Sequence, residues 1–167
     1  MASAMIASVL NIKADNIISA VKSFQPIEHR MERVAKINGV EYINDSKATN
    51  IDSTFYALES IKKDVVWIVG GVDKGNDYSQ LIPLVKSKVM GMVCLGKDNQ
   101  KLHDIFENIV DQIDDALSAD EAVEKAAEMA KVGYTVLLSP ACASFDLFEN
   151  YEDRGKKFKQ GIIKLNQ

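Results

Sequence analysis

Side chains able to grip an anion concentrate in four short stretches of this sequence. Asn44-Asp45-Ser46-Lys47-Ala48-Thr49-Asn50 puts an acid, a lysine and two hydroxyls just ahead of a helical pattern that begins near Asn50. A helix start offers free N–H groups and a partial positive charge, so an anion is favoured there. Lys47 adds a full charge to it and Thr49 a hydroxyl donor. Gly70-Gly71-Val72-Asp73-Lys74-Gly75 joins a second lysine to a glycine pair that lets backbone approach a ligand closely. Ser139-Pro140-Ala141-Cys142-Ala143-Ser144-Phe145-Asp146 is built mostly of small residues. Ser144 and Phe145 there offer a hydroxyl and backbone N–H groups. Glu28-His29-Arg30 places a cation where it can meet a phosphate from a neighbouring module.

Simpler roles compete with these. Asn44, Asp45 and Asn50 are ordinary turn formers and N-caps, which explains each singly but leaves Lys47 and Thr49 unexplained. Gly70-Gly71 with one lysine reads by itself as a plain turn between a strand and a helix, and His29-Arg30 reads equally well as a surface pair. Two lysines facing one crevice do more. Each charge-assisted hydrogen bond to a carboxylate is worth roughly 1.5–3 kcal/mol net, so two contacts can position a small dicarboxylate. The expectation is that Lys47 and Lys74 share a pocket with the hydroxyls of Thr49 and Ser144. The sequence has neither the G-x-x-x-x-G-K-[ST] phosphate loop nor the G-x-G-x-x-G dinucleotide fingerprint. A Cys142 nucleophile with His29 or His103 as base is disfavoured, because cysteine among small neighbours suits a buried core position.

The elements that must hold these loops follow from periodicity. Met5, Ile6, Val9 and Leu10, then Ile17, Ile18, Val21 and Phe24, recur at helical spacing, with Asp15 as the N-cap of a second helix and Pro26 as its break. Residues 1–26 therefore read as a helical lead-in and 27–167 as the domain proper. Glu32–Ile37 and Val40–Ile43 alternate polar and apolar residues around Asn38-Gly39, the strongest short hairpin signal. The continuous apolar runs Val65–Val69, Val89–Leu95 and Tyr134–Leu138 read as strands covered on both faces. Helical stripes separate them: Ile51, Phe55, Leu58 and Ile61; then Leu102, Ile105 and Phe106. A third follows the Ser118-to-Glu121 capping box, with Gly133 as its stop. The predicted fold is α/β: a Rossmann-like, mostly parallel mixed sheet with helices on both faces and an N-terminal β-hairpin. In such a sheet ligands bind beyond the carboxyl ends of the strands, where three of the anion-gripping stretches fall.

Composition narrows the partners. The chain has 167 residues, 47% hydrophobic and 26% charged, as expected of one globular domain rather than a disordered segment. Twenty basic against 24 acidic residues give a charge of −4, the wrong balance for a nucleic-acid binder that neutralises phosphates. Two distant cysteines suit a reducing compartment, and no apolar run spans a bilayer. The start lacks the pattern of a signal peptide. A cytoplasmic protein without nucleic-acid or membrane partners is expected.

Taken in order, His29-Arg30, Asn44–Asn50, Gly70-Gly71 with Lys74, Ser139–Asp146 and Tyr151-Glu152-Asp153-Arg154-Gly155 resemble the C-terminal domain of the Mur ligases of peptidoglycan synthesis. The likeness is to the branch that adds D-glutamate. It implies ATP and Mg²⁺ as cofactors of a longer parent and UDP-N-acetylmuramoyl-L-alanine as acceptor. The acceptor carboxylate is phosphorylated and the amine of D-glutamate attacks it. It also implies that Thr49, Lys74, Ser144, Phe145 and Tyr151 contact D-glutamate. His29, Arg30, Asp45 and Lys47 would face the nucleotide, with His29 near an interdomain hinge. Tyr151 stands where many members carry phenylalanine. No residue of the chain is implied to be catalytic or to bind metal. The lead-in resembles the end of the family's central domain. With the phosphate loop and metal ligands elsewhere, the chain alone is expected to hold no cofactor and to have no turnover. The alternatives are a domain of another Mur-type amino-acid ligase, and a non-catalytic α/β module that binds an anion or a protein.

Overall fold

A computed structural model describes residues 2–23 and 27–166; the expected break at Pro26 and the stripe residue Phe24 lie outside the described residues. Two helices come first, α1 (Ala2–Val9) and α2 (Ala14–Ser23). Asp15 is not an N-cap. It sits in the first turn of α2, where Lys13 supplies the carbonyl that accepts from Asn16 and Ile17 N–H. A carboxylate in a first turn still complements the helix dipole.

The hairpin forms as the turn chemistry demands. β1 (Glu32–Ile37) and β2 (Val40–Asn44) run antiparallel with Ile37 opposite Val40. Asn38 (φ 49°) and Gly39 (φ 82°) both adopt the positive φ of a type I′ turn. The other strands are β3 (Val65–Gly70), β4 (Val89–Leu95), β5 (Ile113–Ala116) and β6 (Thr135–Ala141), and the sheet order is β1-β2-β6-β3-β4-β5. All pairings but the hairpin are parallel.

Helices cover both faces. α3 (Ile51–Ser60), α4 (Ile82–Lys88) and α5 (Gln100–Phe106) send Ile51, Leu58, Val85, Leu102 and Phe106 into one core with Val65, Trp67, Met92 and Leu137. On the other face α6 (Ala119–Met129) and α7 (Tyr151–Leu165) bury Ala122, Val123, Ala126, Phe158 and Ile162 against Val66, Ile68, Val93 and Val136. Each fully buried side chain of leucine or phenylalanine size contributes about 1.5–3 kcal/mol, so these two layers fix the strand ends to which the loops are attached. The Lys88 ammonium donates to the carbonyls of Leu58 and Ile61, closing the carboxyl end of α3 with a cation.

One further expectation changes, and two elements, β5 and α7, lie where the sequence reading names none. α6 is capped by Ser118, as expected, but ends at Met129 with Ala130 as C-cap; Gly133 (φ 96°) serves the turn into β6. The edge strand β5 carries Asp114 and Asp115 in four residues, so its apolar pattern is absent. α7 has no clear helical stripe in the sequence, because charged residues interrupt it. Among the described residues no helix is long and apolar enough to cross a membrane.

Candidate functional site at the carboxyl ends of β2, β3 and β6

β6 lies between β2 and β3, so the loops leaving these three strands emerge side by side. Backbone hydrogen bonds join them. Ala141 N–H donates to Ala48 O at 3.0 Å, and Val72 N–H to Ala143 O at 2.8 Å. Gly70 (φ 123°) and Gly71 (φ 124°) make this contact possible: a Cβ would stand 2.9 Å from Leu95 O at the first and 2.2 Å from Ala143 O at the second. What this glycine pair brings close is neighbouring backbone.

Arg154, 1% exposed, holds the three loops from beneath. Its Nε donates to Ser46 Oγ at 3.0 Å and Nη2 to Ser46 O at 2.9 Å. Nη1 reaches Cys142 O at 3.2 Å and, more distantly, Gly70 O at 3.5 Å. Among the described residues it makes no ion pair, and burial pushes the guanidinium down to about 10. Arginine suits this task because its planar fork of donors matches several carbonyls at once. Ser46 Oγ passes the connection on by donating to Tyr151 O at 2.7 Å, at the start of α7. Asn150 caps that helix through Asp153 N–H.

The first loop orders its acids and amides around His29. Asn44 Oδ1 accepts from Ser46 N–H, while Nδ2 donates to Glu32 Oε2 at 3.0 Å and to His29 Nδ1 at 2.9 Å. With Nδ1 accepting, the neutral ring carries its proton on Nε2. Nε2 has no hydrogen-bond partner, and Glu28 Oε1 is 3.7 Å away. The His29-Arg30 pair divides: His29 is 3% exposed and stands edge-on to Tyr151, whereas Arg30 is exposed. Gly155 leaves room for the imidazole, since a Cβ there would be 2.2 Å from Nδ1.

Asp45 accepts from Met31 N–H at 3.1 Å and from Ser139 Oγ at 2.9 Å. Burial pushes its carboxyl up to about 6 despite these bonds. Asp45, Arg30 and Lys47 line one cavity of about 270 Å³ against the Tyr56 and Ser60 side of α3. The Lys47 ammonium lies 5.2 Å from the centre of the Tyr151 ring, in cation–π range.

Thr49 and Lys74 are exposed on the first and second loops; Ser144 is buried on the third, beside a Phe145 that is 70% exposed. Tyr151 is half-buried. Thr49, Lys74 and Ser144 thus lie on the stitched loops but do not line the cavity that takes Lys47. Asn50 is an N-cap, accepting from Ser53 N–H at 2.9 Å. Asp73 shapes the second loop by accepting from Gly75 and Asn76 N–H and pairing with Lys101. Burial alone would raise its carboxyl, and these partners hold it below the ordinary range. Cys142 is buried beside Tyr78 and Asn76, and burial pushes its thiol up, which fits a structural residue. Sequence reasoning gave no role to Ser46, Arg154 or Gly155. The signal for Arg154 was its place in the stripe Arg154, Phe158, Ile162, where an arginine opens an otherwise buried row.

Comparison with known proteins identifies a family. Residues 29–142 match the family described as Mur ligase, glutamate ligase domain. The chain is 55% identical over 165 residues to UDP-N-acetylmuramoylalanine–D-glutamate ligase of Christiangramia forsetii and 54% identical over 165 residues to that of Porphyromonas gingivalis. Each match takes in 99% of this chain, which spans only 37% of either relative. Among solved structures, UDP-N-acetylmuramate–alanine ligase of Thermotoga maritima superposes with TM-score 0.66 at 11% identity, over 98% of this chain and 36% of that one. MurF ligase from Thermotoga maritima in complex with ADP gives 0.62 at 16%, over 98% and 37%. At these identities the structures show a shared fold.

Proposed function

The chain belongs to the Mur ligase family through its glutamate ligase domain, and from that membership we propose that it is the D-glutamate-holding part of a longer ATP-dependent ligase. The parent would join D-glutamate to UDP-N-acetylmuramoyl-L-alanine in peptidoglycan synthesis, in the cytoplasm. The observation that carries this reading is the similarity to curated D-glutamate ligases along 99% of the chain. The stitched loops support it with geometry.

In this reading the chain binds and orients. Lys74, with the hydroxyls of Thr49 and Ser144 and the backbone around Phe145 and Tyr151, takes the two carboxylates of D-glutamate. Gripping both ends removes rotational freedom from the amine before it reacts, and such fixing lowers barriers by several kcal/mol. Residues 27–167 form this unit, and 1–26 lead in from the rest of the parent.

Arg30 and Lys47, on one cavity with Asp45, fit the phosphate oxygens of a nucleotide. When bound, ATP supplies the phosphoryl group that activates the acceptor carboxylate. The acids beside the nucleotide-facing cavity are already engaged. Glu28 and Glu32 already close on the Lys159 ammonium, and both Asp45 oxygens accept hydrogen bonds. The chain alone, given ATP, Mg²⁺, D-glutamate and the UDP-linked acceptor, is expected to release no phosphate above a heat-killed control. The full-length parent is expected to release it with D-glutamate and not with L-alanine or diaminopimelate. Preference for either of those amino acids would move the chain to another branch of the family.

A further inference from the structure

We propose that Cys94, His103 and Asp115 form a binding site for a zinc-class divalent transition metal, at the β4–β5 edge of the sheet. The fold assembles the three from separate elements. Cys94 on β4 stands in register with Asp115 on β5, so both side chains project to the same face of adjacent parallel strands. α5 crosses that face and brings His103 over them. One ligand atom from each residue lies within 4.8 Å of the other two, and His103 Nε2 is 3.0 Å from Asp115 Oδ1.

The spacing and chemistry suit zinc. In a tetrahedral site with bonds of about 2.0–2.3 Å, ligand atoms stand roughly 3.3–3.8 Å apart, so small side-chain rotations complete the set. A thiolate, an imidazole and a carboxylate make a mixed set that favours Zn²⁺ over Mg²⁺. The thiol is enclosed, while His103 and Asp115 are 26% and 56% exposed at the side chain, leaving a solvent-facing fourth position for water. A supporting shell is present. Asn99 Nδ2 donates to Asp115 Oδ1 at 2.9 Å and to Cys94 O at 3.1 Å, fixing the carboxylate relative to β4. On binding, the Cys94 thiol releases its proton to solvent and the S–metal bond forms. The proton that His103 Nε2 shares with Asp115 leaves that nitrogen and the ring holds one proton on Nδ1, which frees the Nε2 lone pair for the metal.

Titration of the intact chain with Co²⁺, then Zn²⁺, tests the site. One Co²⁺ per chain is expected, with the near-ultraviolet thiolate-to-cobalt charge-transfer band and the visible bands of a tetrahedral centre, all lost when Zn²⁺ displaces it. Cys94→Ala should abolish the band and Cys142→Ala should keep it. His103→Gln and Asn99→Ala should each weaken binding roughly 10–100-fold. Because the buried cysteine variant can lose its fold, the partly exposed His103→Gln decides independently: Zn²⁺ should raise the melting temperature of the wild type and not of this variant. Absence of the band in the folded wild type would overturn the proposal. So would unchanged affinity in His103→Gln, leaving a hydrogen-bonded pair above a core thiol.

Discussion

Arg154 and Ser46 lie 108 positions apart and are joined twice, through the serine hydroxyl at 3.0 Å and its carbonyl at 2.9 Å. This pair ties α7 to the loop after β2, and the same guanidinium reaches Cys142 O on the loop after β6. The three loops that carry Thr49, Lys74 and Ser144 therefore share one buried support.

Arg154→Met should leave the Ser46 and Cys142 carbonyls without these donors, and should cost about 2–4 kcal/mol. Urea denaturation measures this as a lower midpoint with an unchanged slope. Arg154→Lys should lose less, since one ammonium can satisfy part of the set. A methionine variant within about 0.5 kcal/mol of wild type would show that the loops do not need this support.

Two glycines make opposite predictions. Gly155→Ala drives a Cβ to 2.2 Å from His29 Nδ1, so the imidazole and its Asn44 partner must move. Gly75→Ala meets nothing within 4 Å and carries only the strain of its positive φ, about 1–2 kcal/mol. Melting temperatures should fall further for Gly155→Ala than for Gly75→Ala. The reverse order would place His29 elsewhere.

Asp45 gives a pH signature. Its folded carboxyl is raised to about 6 from 3.8 by burial, so the folded state binds this proton more tightly than the unfolded chain does. The group's contribution is fully present below about pH 4 and is lost as pH rises through 6, by up to about 3 kcal/mol. Asp45→Asn keeps a carbonyl for Met31 N–H and an amide that can donate to the Ser139 hydroxyl, without the charge. Relative to wild type the variant should gain stability between pH 4.5 and pH 7, as read by urea midpoints. A constant difference would mean the carboxyl is ionised throughout.

The fold was legible where period and turn chemistry agreed. Asn38-Gly39 between alternating strands, and the runs 65–69 and 89–95, name their structures locally, because a two-residue turn and a strand covered on both faces leave few alternatives. β5 was not legible: two aspartates in an edge strand of four residues erase its pattern. α7 hid because Glu152, Asp153, Lys156 and Lys157 surround its stripe. In the candidate site, lysine and hydroxyl types drew notice in the sequence, since few structural roles want them at strand ends. The stripe Arg154, Phe158, Ile162 marks Arg154 as buried but does not name its partners, since apart from the Ser46 hydroxyl these are backbone carbonyls, and a carbonyl has no residue type. Gly71 was visible as a glycine, but the sequence does not say that the backbone it meets is Ala143 O.

The most direct test of the D-glutamate site is an NMR titration of this chain with D-glutamate, followed amide by amide, beside the same titration of Lys74→Ala. Shifts are expected in the wild type at Thr49, Lys74, Ser144 and Phe145, and none in the variant. An unresponsive wild type, or a variant that responds just as the wild type does, would contradict the assignment.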